Sequence, residues 1–206
     1  MNKLDHLLWG TPSLDEGVAA FERLTGVRLT LGGTHEGFGT RNKLATFGNE
    51  VYFEIIAPDP QQSLAGTLGE VLAALPSPRL FTFAVSTTDI EGMRNRLTGR
   101  GLLSRHVKMA RTRPDGVVLE WQILYPDGHD FGFFIPFYIQ WDTPYHPSQM
   151  EPSGLSLESF VVRHPRHQEL AELYQDLHMP VAVEAASEPG FHAQIGTPKG
   201  KVELVG

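Results

Sequence analysis

The sequence predicts an α+β fold built from repeated β-α-β-β-β modules. Three helical stripes, each after a strand-like run and before others, carry that reading. Each helix is led by a capping sequence or a proline. The same order restarts along the 206 residues, which is the mark of an internal repeat.

The first module spans residues 1–58. Leu4 to Trp9 is short and apolar and reads as a buried strand, broken by Pro12. Ser13-Leu14-Asp15-Glu16 forms a capping box, in which hydroxyl and carboxylate satisfy each other's backbone amides. Leu14, Val18, Phe21 and Leu24 then recur at helical spacing, and Gly26 is the stop. A strand over Val27 to Leu31 leads into a glycine-rich loop, Gly32 to Gly39. Two more strands, Thr40 to Phe47 and Val51 to Ala57, meet at a Gly48-Asn49 turn. Residues 59–79 read as a connector with a short helix marked by Leu68, Val71, Leu72 and Leu75.

The second module covers 80–141. Leu80 to Val85 is its first strand, and Thr88-Asp89-Ile90-Glu91 is its capping box. Ile90, Met93 and Leu97 give the helical stripe. Val117 to Leu124 and Phe131 to Trp141 read as strands. Residues 142–154, rich in proline and polar residues, are a linker. The third, shorter module covers 155–206. It has strands at Leu155 to Val162, Val181 to Ala185, Phe191 to Ile195 and Lys201 to Val205, with a helix marked by Leu170, Leu173, Tyr174 and Leu177.

Hydrophobic residues make up 41% and charged residues 20%, which is ordinary for a packed globular chain. The net charge of −7 repels phosphate backbones, so nucleic acid is not an expected partner. No cysteine is present, which excludes disulfides and thiolate chemistry and fits a reducing compartment. No run approaches the ~20 apolar residues that cross a bilayer, and the N-terminus has no signal-like apolar stretch. The expectation is a cytoplasmic protein with no membrane partner.

Several residues stand out for chemistry. His35 lies in the glycine-rich loop, where backbone can approach a ligand closely; it is also placed to be a plain surface histidine. Arg41 and Asn42 follow on the next strand, where Arg41 either clamps a substrate carboxylate or faces water. Trp121, Phe131, Phe133, Phe134, Phe137 and Tyr138 make the second module rich in aromatics. They read either as core or as the apolar wall of a ligand site, with Trp121 and Phe134 as wall candidates. The remaining histidines lack the spacing of a helical zinc site, and no nucleophile elbow exists.

Leu4-Asp5-His6-Leu7-Leu8-Trp9, the capped helix, and Tyr52-Phe53-Glu54-Ile55-Ile56-Ala57-Pro58 resemble the vicinal oxygen chelate superfamily. Gly33 to Asn42, Ile135 to Trp141 and Arg163-His164-Pro165 resemble its glyoxalase-like domain branch. The resemblance implies a glyoxalase/bleomycin-resistance-like fold in which modules form a cup-shaped mixed sheet around a small molecule. It implies a divalent metal held by a His on the first strand and a Glu on the last strand of a module. The matching residues are His6 and Glu54. The second module departs from the pattern, because Thr82 stands opposite His6 and its final strand has no acid. In the third module Glu203-Leu204-Val205 reads like Glu54-Ile55-Ile56. If modules one and three pair, His6, Glu54 and Glu203 make a one-histidine, two-carboxylate set suited to Mn, Fe, Ni or Zn.

Two functions follow. One is a metal-dependent lyase, isomerase or dioxygenase, with His6 as ligand and Glu54 as ligand or general base. The other is a metal-free protein that sequesters a small molecule, as the resemblance to antibiotic-resistance members implies. An open sheet edge in the last module also makes a homodimer an expectation.

Overall fold

A computed structural model describes residues 2–112, 116–149 and 154–206. Among these, the order β-α-β-β-β occurs three times. The first run is β1 (Lys3–Gly10), α1 (Leu14–Thr25), β2 (Thr30–His35), β3 (Thr40–Gly48) and β4 (Val51–Pro58). A short helix, α2 (Leu68–Ala73), leads to the second: β5 (Arg79–Ser86), α3 (Ile90–Gly99), β6 (Leu103–Thr112), β7 (Val118–Asp127) and β8 (Phe137–Trp141). The third is β9 (Ser156–His164), α4 (His167–Asp176), β10 (Ala182–Ala185), β11 (Gly190–Thr197) and β12 (Gly200–Val205). Residues 150–153 of the predicted linker lie outside the described residues, and Pro147–Gln149 before them form one 3-10 turn.

Two sheets form among the described residues. The larger has the strand order β2-β3-β4-β1-β5-β8-β7-β6, and the smaller β10-β9-β11-β12. The first two modules therefore share a sheet and the third makes its own. Both sheets are mixed, as predicted: β5 runs parallel to β8 and β10 parallel to β9, whereas β3 with β4, β6 with β7 and β11 with β12 are antiparallel.

The chain divides into two compact units that cut across the modules. One holds the segment up to His6, Thr82–His146 and Val161–Gly190; the other holds Leu7–Phe81, Pro147–Phe160 and Phe191–Gly206. In the second unit, α1 buries Leu14, Gly17, Phe21 and Thr25, the spacing of one helical face. Phe21 stacks on Phe53 of β4 at 4.6 Å, and Trp9 meets Phe21 edge-on at 5.4 Å. The Ser13 hydroxyl accepts from the Glu16 amide at 3.4 Å, as the capping box predicts. The reciprocal half differs, because the Ser13 amide donates to the Thr11 hydroxyl. Gly26 closes the helix at φ +76°, a left-handed conformation that costs glycine nothing, and its amide returns to Glu22.

In the first unit, α3 is capped one residue later than the predicted box. Asp89 accepts from the Gly92 amide at 2.8 Å, so the carboxylate and not Thr88 closes the helix. The Tyr138 hydroxyl donates to the Leu177 carbonyl at 3.1 Å, and the Ile90 amide donates to the Gln140 side chain at 3.1 Å. These bonds turn the Tyr138 and Gln140 face of β8 toward α3 and the end of α4. By strand alternation, Phe137, Ile139 and Trp141 point the other way.

Three sequence expectations are corrected. The strand predicted over Phe131 to Trp141 is broken: Gly132–Phe134 is a 3-10 turn, and β8 begins only at Phe137. Gly132 sits at φ +55°, and Pro136 has no amide to give a ladder. β6 was not anticipated, because its residues are partly or fully exposed along its length and carry no apolar alternation. β2 begins at Thr30 and takes in Gly32 to His35, so the glycine-rich loop is confined to residues 36–39.

Phe21→Ala is expected to cost about 3–5 kcal/mol, the range for emptying a well-packed aromatic site. Urea unfolding followed by circular dichroism checks this; a loss below about 1 kcal/mol would contradict the packing described.

Candidate functional site

Among the described residues, each unit holds a buried polar cluster around a carboxylate. In the first unit the centre is Asp5, on β1 beside the equally buried His6. Asp5 is 1% exposed. A carboxylate so buried is tolerated only when paired. Its Oδ1 lies 2.6 Å from Nδ1 of His6, and its Oδ2 lies 3.1 Å from both the Trp141 indole nitrogen and Nε2 of His146. Burial pushes the Asp5 carboxyl up, but the bonds from His146 and His6 outweigh it and hold it below the ordinary carboxylate range. Since an ionised carboxylate only accepts, His6 donates from Nδ1 and His146 from Nε2.

This cluster borders an aromatic layer. His6 meets Phe137 edge-on at 5.6 Å, and His146 meets Trp141 edge-on at 5.4 Å. Trp141 lies opposite Trp121 in the β7–β8 register, with ring centroids 5.6 Å apart, and Ile123 lies opposite Ile139. Tyr125 and Phe137 rings are 5.5 Å apart. Ala84, Leu119, Trp121, Ile123 and Ile139 form the buried floor; Met109, Tyr125, Phe137, Trp141 and Tyr145 are half-buried around it. The Arg105 guanidinium lies 4.7 Å from the Tyr125 ring centroid.

In the second unit, Glu54 is 5% exposed within the apolar strand β4. Its Oε1 accepts from the Asn42 amide nitrogen at 2.9 Å. Asn42 cannot flip, because its own oxygen accepts from the Gly33 amide at 2.7 Å. The same Asn42 nitrogen lies 3.3 Å from Nε2 of His35, whose Nδ1 is 2.9 Å from the Thr40 hydroxyl. Neutral His35 therefore accepts at Nε2 and donates from Nδ1. A register shift in β2 between Leu31 and Thr34 sits where Gly33 meets Asn42, and a Cβ on Gly32 would overlap the Asn42 side chain and carbonyl. The glycines thus serve to seat Asn42.

The comparisons with known proteins match a glyoxalase-like domain model over residues 4–178. The chain belongs to the glyoxalase-like domain family. Among solved structures, a hypothetical protein from Staphylococcus aureus is similar over 100% of this chain and 85% of its own, with TM-score 0.72 and 20% identity. A Streptomyces coelicolor methylmalonyl-CoA epimerase variant, in complex with 2-nitronate-propionyl-CoA, is similar over 68% of this chain and 98% of its own, with TM-score 0.51 and 16% identity. At such identities the likeness shows the fold, here that of the vicinal oxygen chelate superfamily. No curated protein matches the chain.

The resemblance implies a divalent metal, which needs a set of His, Asp or Glu donors. Among the described residues, no three His, Asp or Glu side chains gather as a metal-ligand set. Glu203 lies beyond the family match, on β12, with a side chain 66% exposed and 3.6 Å from His192. Among the described residues the expected trio of His6, Glu54 and Glu203 is therefore not found as a metal-ligand set.

The structure brings together three of the predicted residues, His35, Asn42 and Glu54. Arg41 points away from Asn42 by strand alternation and contributes to the field that lowers the Asp59 carboxyl, whose main cause is a hydrogen bond from Gln62. Trp121 is buried in the floor of the aromatic layer. Phe134 lies on the 3-10 turn, edge-on to His164 at 5.3 Å, and its carbonyl accepts from the Tyr174 hydroxyl. Sequence reasoning missed Asp5, Trp141 and His146. A charge inside an apolar strand was the signal available for Asp5; the other two lie 136 and 141 residues away.

Because the Asp5 carboxyl is depressed in the folded state, its contribution to stability is present above the ordinary value of 3.8 and is lost as pH falls through the lower folded value. Asp5→Asn is expected to cost roughly 2–3 kcal/mol at neutral pH, the worth of charged hydrogen bonds. The cost should shrink as pH drops below 3.8. Urea titrations of both proteins across that range check it; a cost that stays constant would refute the depressed carboxyl.

Proposed function

We propose that the protein binds a small, planar, largely apolar molecule against the aromatic layer of the first unit. The observation that carries this is a sheet face of half-buried rings, bordered by a buried Asp5 with two imidazoles. An apolar wall with a few convergent polar groups is the usual composition of a small-molecule site. Tyr125 and Phe137 offer ring faces and edges to a planar ligand. His6 and His146 supply hydrogen-bonding chemistry at the border. This is the binding reading of the fold, and it needs no metal.

The test is calorimetric titration with 1-naphthol, a planar probe with one hydroxyl. Saturable binding to the wild type is expected. Tyr125→Leu and Phe137→Leu should each weaken it about two- to tenfold, as loss of one aromatic contact implies. Binding that survives both changes undiminished would place the ligand elsewhere and sink this reading.

A second reading is favoured by the bond from His6 to Asp5. Metal-ligating histidines characteristically give their other ring N–H to a carboxylate, which fixes the ring and raises its basicity. On this reading His6 is a candidate ligand to Mn, Fe, Ni or Zn, and Glu54, in the second unit, is by itself a candidate proton acceptor in lyase, isomerase or dioxygenase chemistry. Asn42 would orient the Glu54 carboxylate for that work. Elemental analysis of protein prepared without chelators and soaked in each metal decides it. Near-stoichiometric metal, lost in His6→Ala, is the expected result; protein empty under every condition would end the metalloenzyme reading.

A further inference from the structure

Asp5 uses both carboxylate oxygens at once. Oδ1 faces His6, and Oδ2 faces Trp141 and His146. All three partners are rings, and all three must donate, because an ionised carboxylate has no proton to give. The indole has only one polar atom, so this bond pins its ring. Each neutral imidazole has two tautomers, and the carboxylate selects one. Neutral His6 is held as the Nδ1–H form with its lone pair at Nε2. Neutral His146 is held as the Nε2–H form with its lone pair at Nδ1.

The three rings are those that border the aromatic layer. His6 abuts Phe137, His146 abuts Trp141, and Trp141 faces Trp121. We propose that Asp5 is the positioning residue of the ligand-binding layer, setting through one buried carboxylate the tautomer of two imidazoles and the orientation of one indole. This rests on the binding reading above. A merely structural role for Asp5 would ask only that the carboxylate be satisfied. The positioning role asks in addition that ring chemistry change when the acceptor pattern changes and the shape does not.

Asp5→Asn makes that separation. Asparagine has the same shape but one acceptor oxygen and two N–H donors. It cannot accept from all three rings as the carboxylate does, so at least one imidazole must switch tautomer or lose its bond. Long-range proton–nitrogen NMR on labelled protein at about pH 8, above the ordinary imidazole range, reads the tautomers directly. Replacing His6 and His146 one at a time with Gln assigns their signals.

In the wild type, His6 is expected as Nδ1–H and His146 as Nε2–H. In Asp5→Asn, at least one of the two is expected to switch, and the dissociation constant for 1-naphthol to rise fivefold or more. A wild type with either tautomer reversed overturns the proposal, and this arm needs no variant to fold. Unchanged tautomers in Asp5→Asn overturn it, and so does a switched tautomer with 1-naphthol affinity within twofold of wild type. Failure of the ligand reading looks different: the wild type then binds no 1-naphthol at all, while the NMR spectra still decide whether Asp5 fixes the rings.

Discussion

A buried carboxylate must be paired, and that constraint organises both clusters. Asp5 and Glu54 each interrupt a strand of apolar residues, at 1% and 5% exposure. Leaving either without partners would cost far more than one hydrogen bond returns. The chain meets the demand in two ways. Asp5 draws three ring N–H groups to itself, two of them from β8 and the segment after it. Glu54 takes the Asn42 amide, and Asn42 is in turn held by the Gly33 backbone. The glycines of β2, the register shift beside them and the position of His35 all follow from seating that one amide.

Much of the fold was legible because helices announce their ends. Ser13 before an amphipathic stripe and Gly26 after it fixed α1 almost to the residue. β6 was not legible because an edge strand faces water along much of its length, so alternation does not show in its sequence. The aromatic run from Phe131 looked like one strand because hydrophobicity dominated the pattern. The break came from backbone properties instead, a left-handed Gly132 and a Pro136 without an amide.

The candidate sites were legible only in part, and the division is physical. His35, Asn42 and Glu54 sit within one run of antiparallel strands, so pattern and turn placement bring them near one another. Asp5 was passed over because neighbouring residues on a strand face opposite ways, and its bond to His6 depends on side-chain torsion and not on register. Trp141 and His146 reach Asp5 across most of the chain, and no local pattern encodes such a contact. Tertiary packing creates it.

The two modules of the larger sheet differ at matching positions. At the position matching His6 the second module has Thr82, whose hydroxyl donates to the Phe133 carbonyl at 2.9 Å and so anchors the 3-10 turn. That turn delays β8 until Phe137, which sets the alternation that puts Phe137, Ile139 and Trp141 on the face opposite Tyr138 and Gln140. Had the run from Phe131 continued as one strand, Pro136 would have stood inside the ladder with no amide to give. The second module thus carries rings where the first carries an imidazole and a carboxylate. Within the first unit, His6 and Asp5 from β1 stand against the rings of β8. On the proposed binding reading, a polar edge joined to an apolar plate favours molecules that are flat on one side and polar at one end.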